Sequence, residues 1–176
     1  FQLSNIYPLT NAWNRRYLEK AFERLIVDHG NTHPIFHYII LDIDDFKLLN
    51  DKYGHHIGDA ILKCIGEVFL NHLNNKGYLI RLGGDEFILL LTHNEPDLFI
   101  KKMIDEIDSN TRNIFLPESY KVRFSYGIKS APLNASTKLD ELYLKADKRM
   151  YENKEAYKLE SNNAENVNNY TYKQRV

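Results

Sequence analysis

Two periods of apolar residues run along this chain, and each marks a different kind of element. Leu18, Ala21, Phe22, Leu25 and Ile26 recur at helical spacing, with Asn11 or Asn14 as caps and Gly30 past the end, and so predict a first amphipathic helix. Residues 35–43 are a β-branched and aromatic run that reads as a buried strand ending in Asp42-Ile43-Asp44-Asp45. A short helix is expected over 46–53, a two-glycine loop over 54–59, and a helix over 59–73 with Asp59 as a plain N-cap candidate. Residues 74–77 read as a turn. The runs 78–82 and 87–91 then read as strands joined at Gly83-Gly84, since glycine supplies the positive φ of tight hairpins. A helix over 95–108, a strand over 120–129 and a last helix marked by Leu139, Leu142, Tyr143, Ala146 and Met150 complete the pattern. Past Leu159 the chain turns Asn-rich and polar, and residues 161–176 are expected to be a disordered tail.

Setting the first helix aside, the order is β-α-α-β-β-α-β-α. That order predicts an α+β sandwich of the ferredoxin-like type, a mixed, mostly antiparallel sheet with flanking helices and a central hairpin. It also brings the end of the first long strand beside the hairpin turn, so that Asp42 and Asp85 become neighbours.

Composition narrows the function classes. The 176 residues suit one domain, with residues 1–160 as its body, and the 43% apolar content is that of a globular chain. Acids and bases nearly cancel, 24 against 23, which argues against a nucleic-acid partner or membrane contact by this domain itself. No apolar run is long enough for a transmembrane helix. The single cysteine, Cys64, falls in a helical apolar pattern and reads as buried, in keeping with a reducing, cytoplasmic setting. The first residue is Phe1 rather than Met, so further sequence is expected upstream.

The chemistry sits in Arg81-Leu82-Gly83-Gly84-Asp85-Glu86-Phe87. Two acids directly after the glycines are either a solvated turn or half of a cation site, and the hairpin alone does not decide between them. Asp42, Asp85 and Glu86 together form an all-oxygen set that favours a hard cation, Mg²⁺, and such sites usually hold substrate phosphates as well. Lys47 is a candidate phosphate partner. Asn50 and Asp59 offer an amide and a carboxylate that suit guanine, whose N1–H and exocyclic amine both donate. Taken singly, Lys47, Asn50, His55 and His56 are ordinary surface or helix-end residues. P-loop and dinucleotide-binding glycine patterns are absent.

These residues resemble a known family. Leu41-Asp42-Ile43-Asp44-Asp45-Phe46-Lys47, Asn50-Asp51, Gly54-His55, Gly58-Asp59, Gly83-Gly84-Asp85-Glu86-Phe87, Ser125-Tyr126-Gly127 and Ala146-Asp147 through Tyr151 and Lys154 are similar to the motifs of GGDEF domains, over about residues 9–158. The resemblance implies a diguanylate cyclase with a core related to nucleotidyl cyclases and polymerase palms. In such an enzyme two GTP molecules meet across a homodimer and are condensed to cyclic di-GMP and two pyrophosphates. By position, Asp42, the Ile43 carbonyl, Asp85 and Glu86 would hold Mg²⁺ (or Mn²⁺), and Asp85 or Glu86 would help deprotonate the hydroxyl. Asn50 and Asp59 would read guanine, His55 would lie near the nucleotide, and Lys47, Lys154 and Lys158 would neutralise phosphates. An upstream sensory domain, and with it a membrane anchor of the full-length protein, is a further expectation from the family.

The chain departs from the family in three places. Tyr7 stands where the family has Asp, and Asn11-Ala12-Trp13 where it has Gly-Leu-Pro, so the N-terminal turn and the dimer geometry are where a difference is expected. Tyr157-Lys158-Leu159 replaces Gly-Arg-Asn, which reduces a bidentate phosphate grip to a point charge. The Arg-x-x-Asp of the family's product-inhibition site would span Asn74 to Gly77, where neither charge is present. A catalytically degenerate domain that binds GTP and regulates a partner is the alternative reading.

Overall fold

The computed structural model describes residues 5–112, 116–117 and 120–173, with side chains to residue 160. In chain order, β1 (Trp13–Asn14) leads through a 3-10 turn (Arg15–Tyr17) into α1 (Leu18–His29). Then come β2 (Ile35–Ile43), α2 (Phe46–Tyr53), α3 (His55–Leu73), β3 (Gly77–Gly83), β4 (Glu86–Leu91), α4 (Pro96–Thr111), β5 (Phe124–Pro132) and α5 (Leu139–Lys173). The strands form one sheet in the order β1-β3-β4-β2-β5. The short β1–β3 pairing is parallel, and the β3–β4, β4–β2 and β2–β5 pairings are antiparallel.

Side-chain alternation along the strands divides the core in two. Ile39, Leu41 and Ile43 of β2, with Leu79, Phe87 and Leu89, face α3 and α4 through Ile61, Ile65, Phe69 and Ile100. Phe36, Tyr38 and Ile40, with Ile80, Ile88 and Leu90, face α1 and α5 through Phe22, Leu25, Leu142 and Ala146. Helices therefore cover both faces. This is why β2 reads as a continuous apolar run rather than an alternating one.

The main differences from the sequence reading fall at α3, β5, α5 and β1. α3 starts at His55, so Gly58 and Asp59 lie inside a helix and Asp59 is not its N-cap. Gly54, at φ 92, makes the break that the two glycines were expected to share. β5 starts at Phe124 rather than residue 120, because its partner β2 ends at Ile43, which pairs with Phe124. α5 runs on to Lys173, where a disordered tail from residue 161 was expected. No Gly or Pro interrupts residues 161–173, and extending a docked helix is far easier than nucleating one. Residues 174–176 of that expected tail lie outside the described residues. Finally, β1 is too short to carry a periodic signal.

The N-terminal turn forms despite its altered sequence. Tyr7 N–H donates to the Ala12 carbonyl (2.9 Å) and Asn11 N–H to the Tyr7 carbonyl (2.9 Å). Asn11 adopts φ 54, a conformation that asparagine tolerates better than most residues.

Gly127 governs how α5 is seated. A Cβ there would stand 2.0 Å from the Ala146 carbonyl oxygen and 2.5 Å from the Met150 nitrogen, both backbone atoms. Gly127→Ala should therefore lower stability by about 2 kcal/mol, and the melting temperature by about 5 °C. Thermal denaturation followed by circular dichroism checks this, and an unchanged melting temperature would contradict the close seating of α5 on β5.

Candidate active site

The β2–β4 register sets Asp42 opposite Glu86, and the Ile43 N–H reaches the Asp85 carbonyl at 3.4 Å. The hairpin turn thus closes directly over the end of β2. Gly83 and Gly84 adopt φ 148 and 53, and a Cβ on either would meet nothing within 4 Å, so these glycines serve the backbone angle and not space. Arg81 fixes the turn from below. Its Nε and Nη2 donate to the Gly84 carbonyl at 3.0 and 2.6 Å, and its guanidinium lies 5.1 Å from the Tyr7 ring centre. Burial lowers the Arg81 pKa, with the nearby Tyr7, Asp59 and Asp85 opposing that shift. Sequence reasoning gave Arg81 no role; its only signal was its place immediately before the hairpin glycines.

The acids meet as expected. Asp85 is pushed up to about 6, first by burial, then by the hydrogen bond and charge of Asp42, with Glu86 adding to the effect. Burial, Asp42 and Asp147 likewise raise Glu86, against Lys154 and Arg15. Lys154, projecting from α5, donates to Asp42 Oδ2 at 2.9 Å and lies 3.8 Å from Asp44 Oδ1. Burial alone would lower the Lys154 pKa, but the hydrogen bond to Asp42 and the charges of Asp42, Asp44 and Asp85 outweigh it and hold the ammonium above its usual range. Asp44 is raised chiefly by burial, against a 2.6 Å hydrogen bond from Ser125 Oγ and the Lys154 charge.

Asp42 is only 14% exposed, and its Oδ1 is buried with no donor. A buried carboxylate oxygen without a partner, beside a second acid whose proton is held too tightly, is a place where a hard cation fits. The donors available are all oxygens: Asp42, Asp85, Glu86 and the Ile43 carbonyl. Among the described residues no three acidic, His or Cys side chains are grouped as an ion site by themselves. Phosphate oxygens of a ligand would have to complete the set.

The remaining expected residues spread around this centre. Asn50 Oδ1 is buried without a donor against Gly58, whose Cβ would stand 1.9 Å from it, so Gly58 keeps room for the amide. Asp59 is exposed one residue further along α3, near enough for its charge to act on Arg81. Lys47 and His55 are exposed near the starts of α2 and α3, and neither is drawn into the acid cluster. Lys158 is turned onto Glu155 of its own helix at 3.4 Å. Asn74, Asn75 and Gly77, where the family's product-inhibition pair would lie, line a separate cavity of about 720 Å³ with Trp13, Asp28, His29 and Tyr78.

This chain is a GGDEF domain. The family described as "Diguanylate cyclase, GGDEF domain" matches residues 4–159. Diguanylate cyclase DosC of Escherichia coli strain K12 is 31% identical over 146 residues, which is 81% of this chain and 31% of DosC. Diguanylate cyclase DgcS of Shewanella oneidensis is 30% identical over 148 residues, 83% of this chain and 48% of DgcS, so the chain spans a third to a half of these relatives. A microbial GGDEF domain solved for its interaction with cyclic di-GMP superposes with a TM-score of 0.67 and 29% identity, covering 88% of this chain and 95% of that one. The GGDEF domain of DgcB from Caulobacter crescentus, solved with cyclic di-GMP, gives 0.72 at 20% identity over 89% of this chain and 90% of that one, a likeness of fold.

Because Asp85 holds its proton more tightly when folded (about 6) than an ordinary aspartate does (3.8), the stability that proton contributes is present below about pH 4 and lost as pH rises through 6. Asp85→Asn should raise the cation-free melting temperature at pH 7.5 by about 2–3 °C, after discounting for solvent screening, with the gain shrinking towards pH 4. Excess Mg²⁺ should raise the wild-type melting temperature and leave that of Asp85→Asn nearly unmoved. Scanning calorimetry checks both, and a destabilised Asp85→Asn at pH 7.5 would contradict the crowding of the two acids.

Proposed function

We propose that this domain is a diguanylate cyclase that condenses two GTP molecules into cyclic di-GMP, with one GTP held by each protomer of a homodimer. The observation that carries the reading is the Asp42–Asp85 pair, closed together by the β2–β4 register, with one Asp42 oxygen unpartnered and the other held by Lys154. Asp42, the Ile43 carbonyl, Asp85 and Glu86 would hold Mg²⁺ or Mn²⁺, which when bound would polarise the phosphates and offset their charge.

The protein's own groups do the rest. Asp59 accepts from guanine N1–H and the exocyclic amine, and the Asn50 amide, already buried beside Gly58, completes the base site. Lys154 and Lys47 balance phosphate charge. Each 3′-hydroxyl oxygen forms a bond to the α-phosphorus of the other GTP while the bond to the bridging oxygen breaks, and pyrophosphate leaves. The hydroxyl proton passes to the Asp85–Glu86 pair. In the cation-free protein both carboxyls are held above their usual range, first by burial and then by Asp42, which makes the pair the nearest acceptor for that proton.

One protomer holds one GTP, so the reaction needs two. The longer relatives make an upstream segment that sets the pairing part of the proposal. No helix among the described residues is long and apolar enough to cross a membrane, and we place this domain in the cytoplasm, where GTP is available.

The test is incubation with GTP and Mg²⁺ at several protein concentrations, with products separated by chromatography. Cyclic di-GMP formed at a rate rising faster than linearly with protein is the expected result. GTP bound without product, even after fusion to a dimerising coiled coil, would overturn the cyclase in favour of a GTP-binding regulator. Asp59→Ala should erase most of the preference for GTP over ATP, a loss of about tenfold or more in kcat/KM for GTP. An unchanged preference would remove Asp59 from the base site.

A further inference from the structure

The acid cluster leaves the triphosphate short of a planar cation. Lys154 is engaged by Asp42 and Asp44, and Lys158 is more than half exposed and turned onto Glu155. A lysine is in any case a point charge, without the fork that grips two phosphate oxygens.

Arg123 stands beside this gap. Its carbonyl accepts the Asp44 N–H at 2.9 Å, which ties its backbone to the end of β2. Residue 123 stands just before β5, two positions ahead of Ser125, which bonds the Asp44 carboxylate, and four ahead of Gly127, where β5 meets α5. Its guanidinium lies 4.7 Å from the ring centre of Tyr157. Tyr157 follows Lys154 by three residues, so it and Lys154 project from successive turns of α5. Among the described residues Arg123 forms no ion pair. An arginine resting on an aromatic face, with no carboxylate at ion-pair distance, keeps the edge of its fork open for an anion.

The layout across the sheet says which part of a nucleotide this edge meets. Asp59 acts on Arg81 of β3, on one side of the acids, while Lys154 and Arg123 lie on the β5 and α5 side. A nucleotide with its base at Asn50 and Asp59 and its α-phosphate at the acids would extend its outer phosphates towards Arg123.

We propose that Arg123, resting on Tyr157, is a substrate-binding residue that grips the outer phosphates of the nucleoside triphosphate. Tyr157 is then a positioning residue. This rests on the GTP reading above. It assigns the grip to the residue just before β5 and not to the α5 position where the family carries its arginine.

The experiment is calorimetric titration of the full chain with Mg²⁺ and an α,β-methylene GTP analogue that cannot be cyclised, and separately with guanosine. The proteins are wild type, Arg123→Gln and Lys158→Gln, with melting temperatures recorded for each. Arg123→Gln should weaken the analogue about tenfold or more and guanosine less than about twofold, at an unchanged melting temperature. Lys158→Gln should cost less than Arg123→Gln. Wild-type affinity for the analogue in Arg123→Gln, equal weakening of both ligands, or a larger loss in Lys158→Gln would each overturn the assignment while leaving the GTP reading standing. A wild-type chain that binds the analogue no better than guanosine would overturn both.

Discussion

Two carboxylates held against each other organise this molecule. Nothing local requires Asp42 and Asp85 to be close, for they are 43 positions apart in the chain. They meet because six residue pairs between β2 and β4 fix the register, and the hairpin turn falls at the end of that ladder. Slipping the register by one residue would exchange the side chains that β4 gives to the two packed faces, so the fit of both cores holds the acid contact in place. The cost of that contact appears as a raised Asp85 pKa and an unpartnered Asp42 oxygen. Function is the natural account of a strain that the core could otherwise have been built without.

The surroundings show the same economy of space. Gly127 lets α5 lie on β5 closely enough for Lys154 to reach Asp42, and Gly58 lets α3 lie against the Asn50 amide. Each removes a Cβ at a point where backbone or a functional group must pass, and each thereby positions a polar side chain one or more turns away. Arg81 does the equivalent for the turn, tying the Gly84 carbonyl to the N-terminal segment through Tyr7. In this chain an aromatic face stands where the family carries a carboxylate, and the turn from Tyr7 to Ala12 is intact around it.

Much of this was legible in the sequence, and the reasons are physical. β2, β3 and β4 are apolar runs of strand length, and the Gly-Gly turn between the last two is read from the positive φ it demands. The neighbourhood of Asp42 and Asp85 followed from element order alone. What escaped depends on contacts between distant residues. The start of α3 hid behind two glycines, one of which breaks the chain while the other packs against Asn50. Local composition said tail where helix α5 runs on, because it cannot register the turns that precede it. The pairing of Lys154 with Asp42, the Ser125 bond to Asp44 and the place of Arg123 over Tyr157 join residues from separate elements, and no spacing rule connects them.

The most direct test of the central constraint is the titration of the Asp85 carboxyl by carbon NMR, in the cation-free protein and again with excess Mg²⁺ and a non-cyclisable GTP analogue. The account predicts an apparent pKa near 6 without the cation and a clear drop when cation and nucleotide are added, since positive charge favours the ionised pair. An ordinary aspartate titration in the cation-free protein, unmoved by the additions, would contradict the claim that the fold crowds these two acids to receive a metal-bound phosphate.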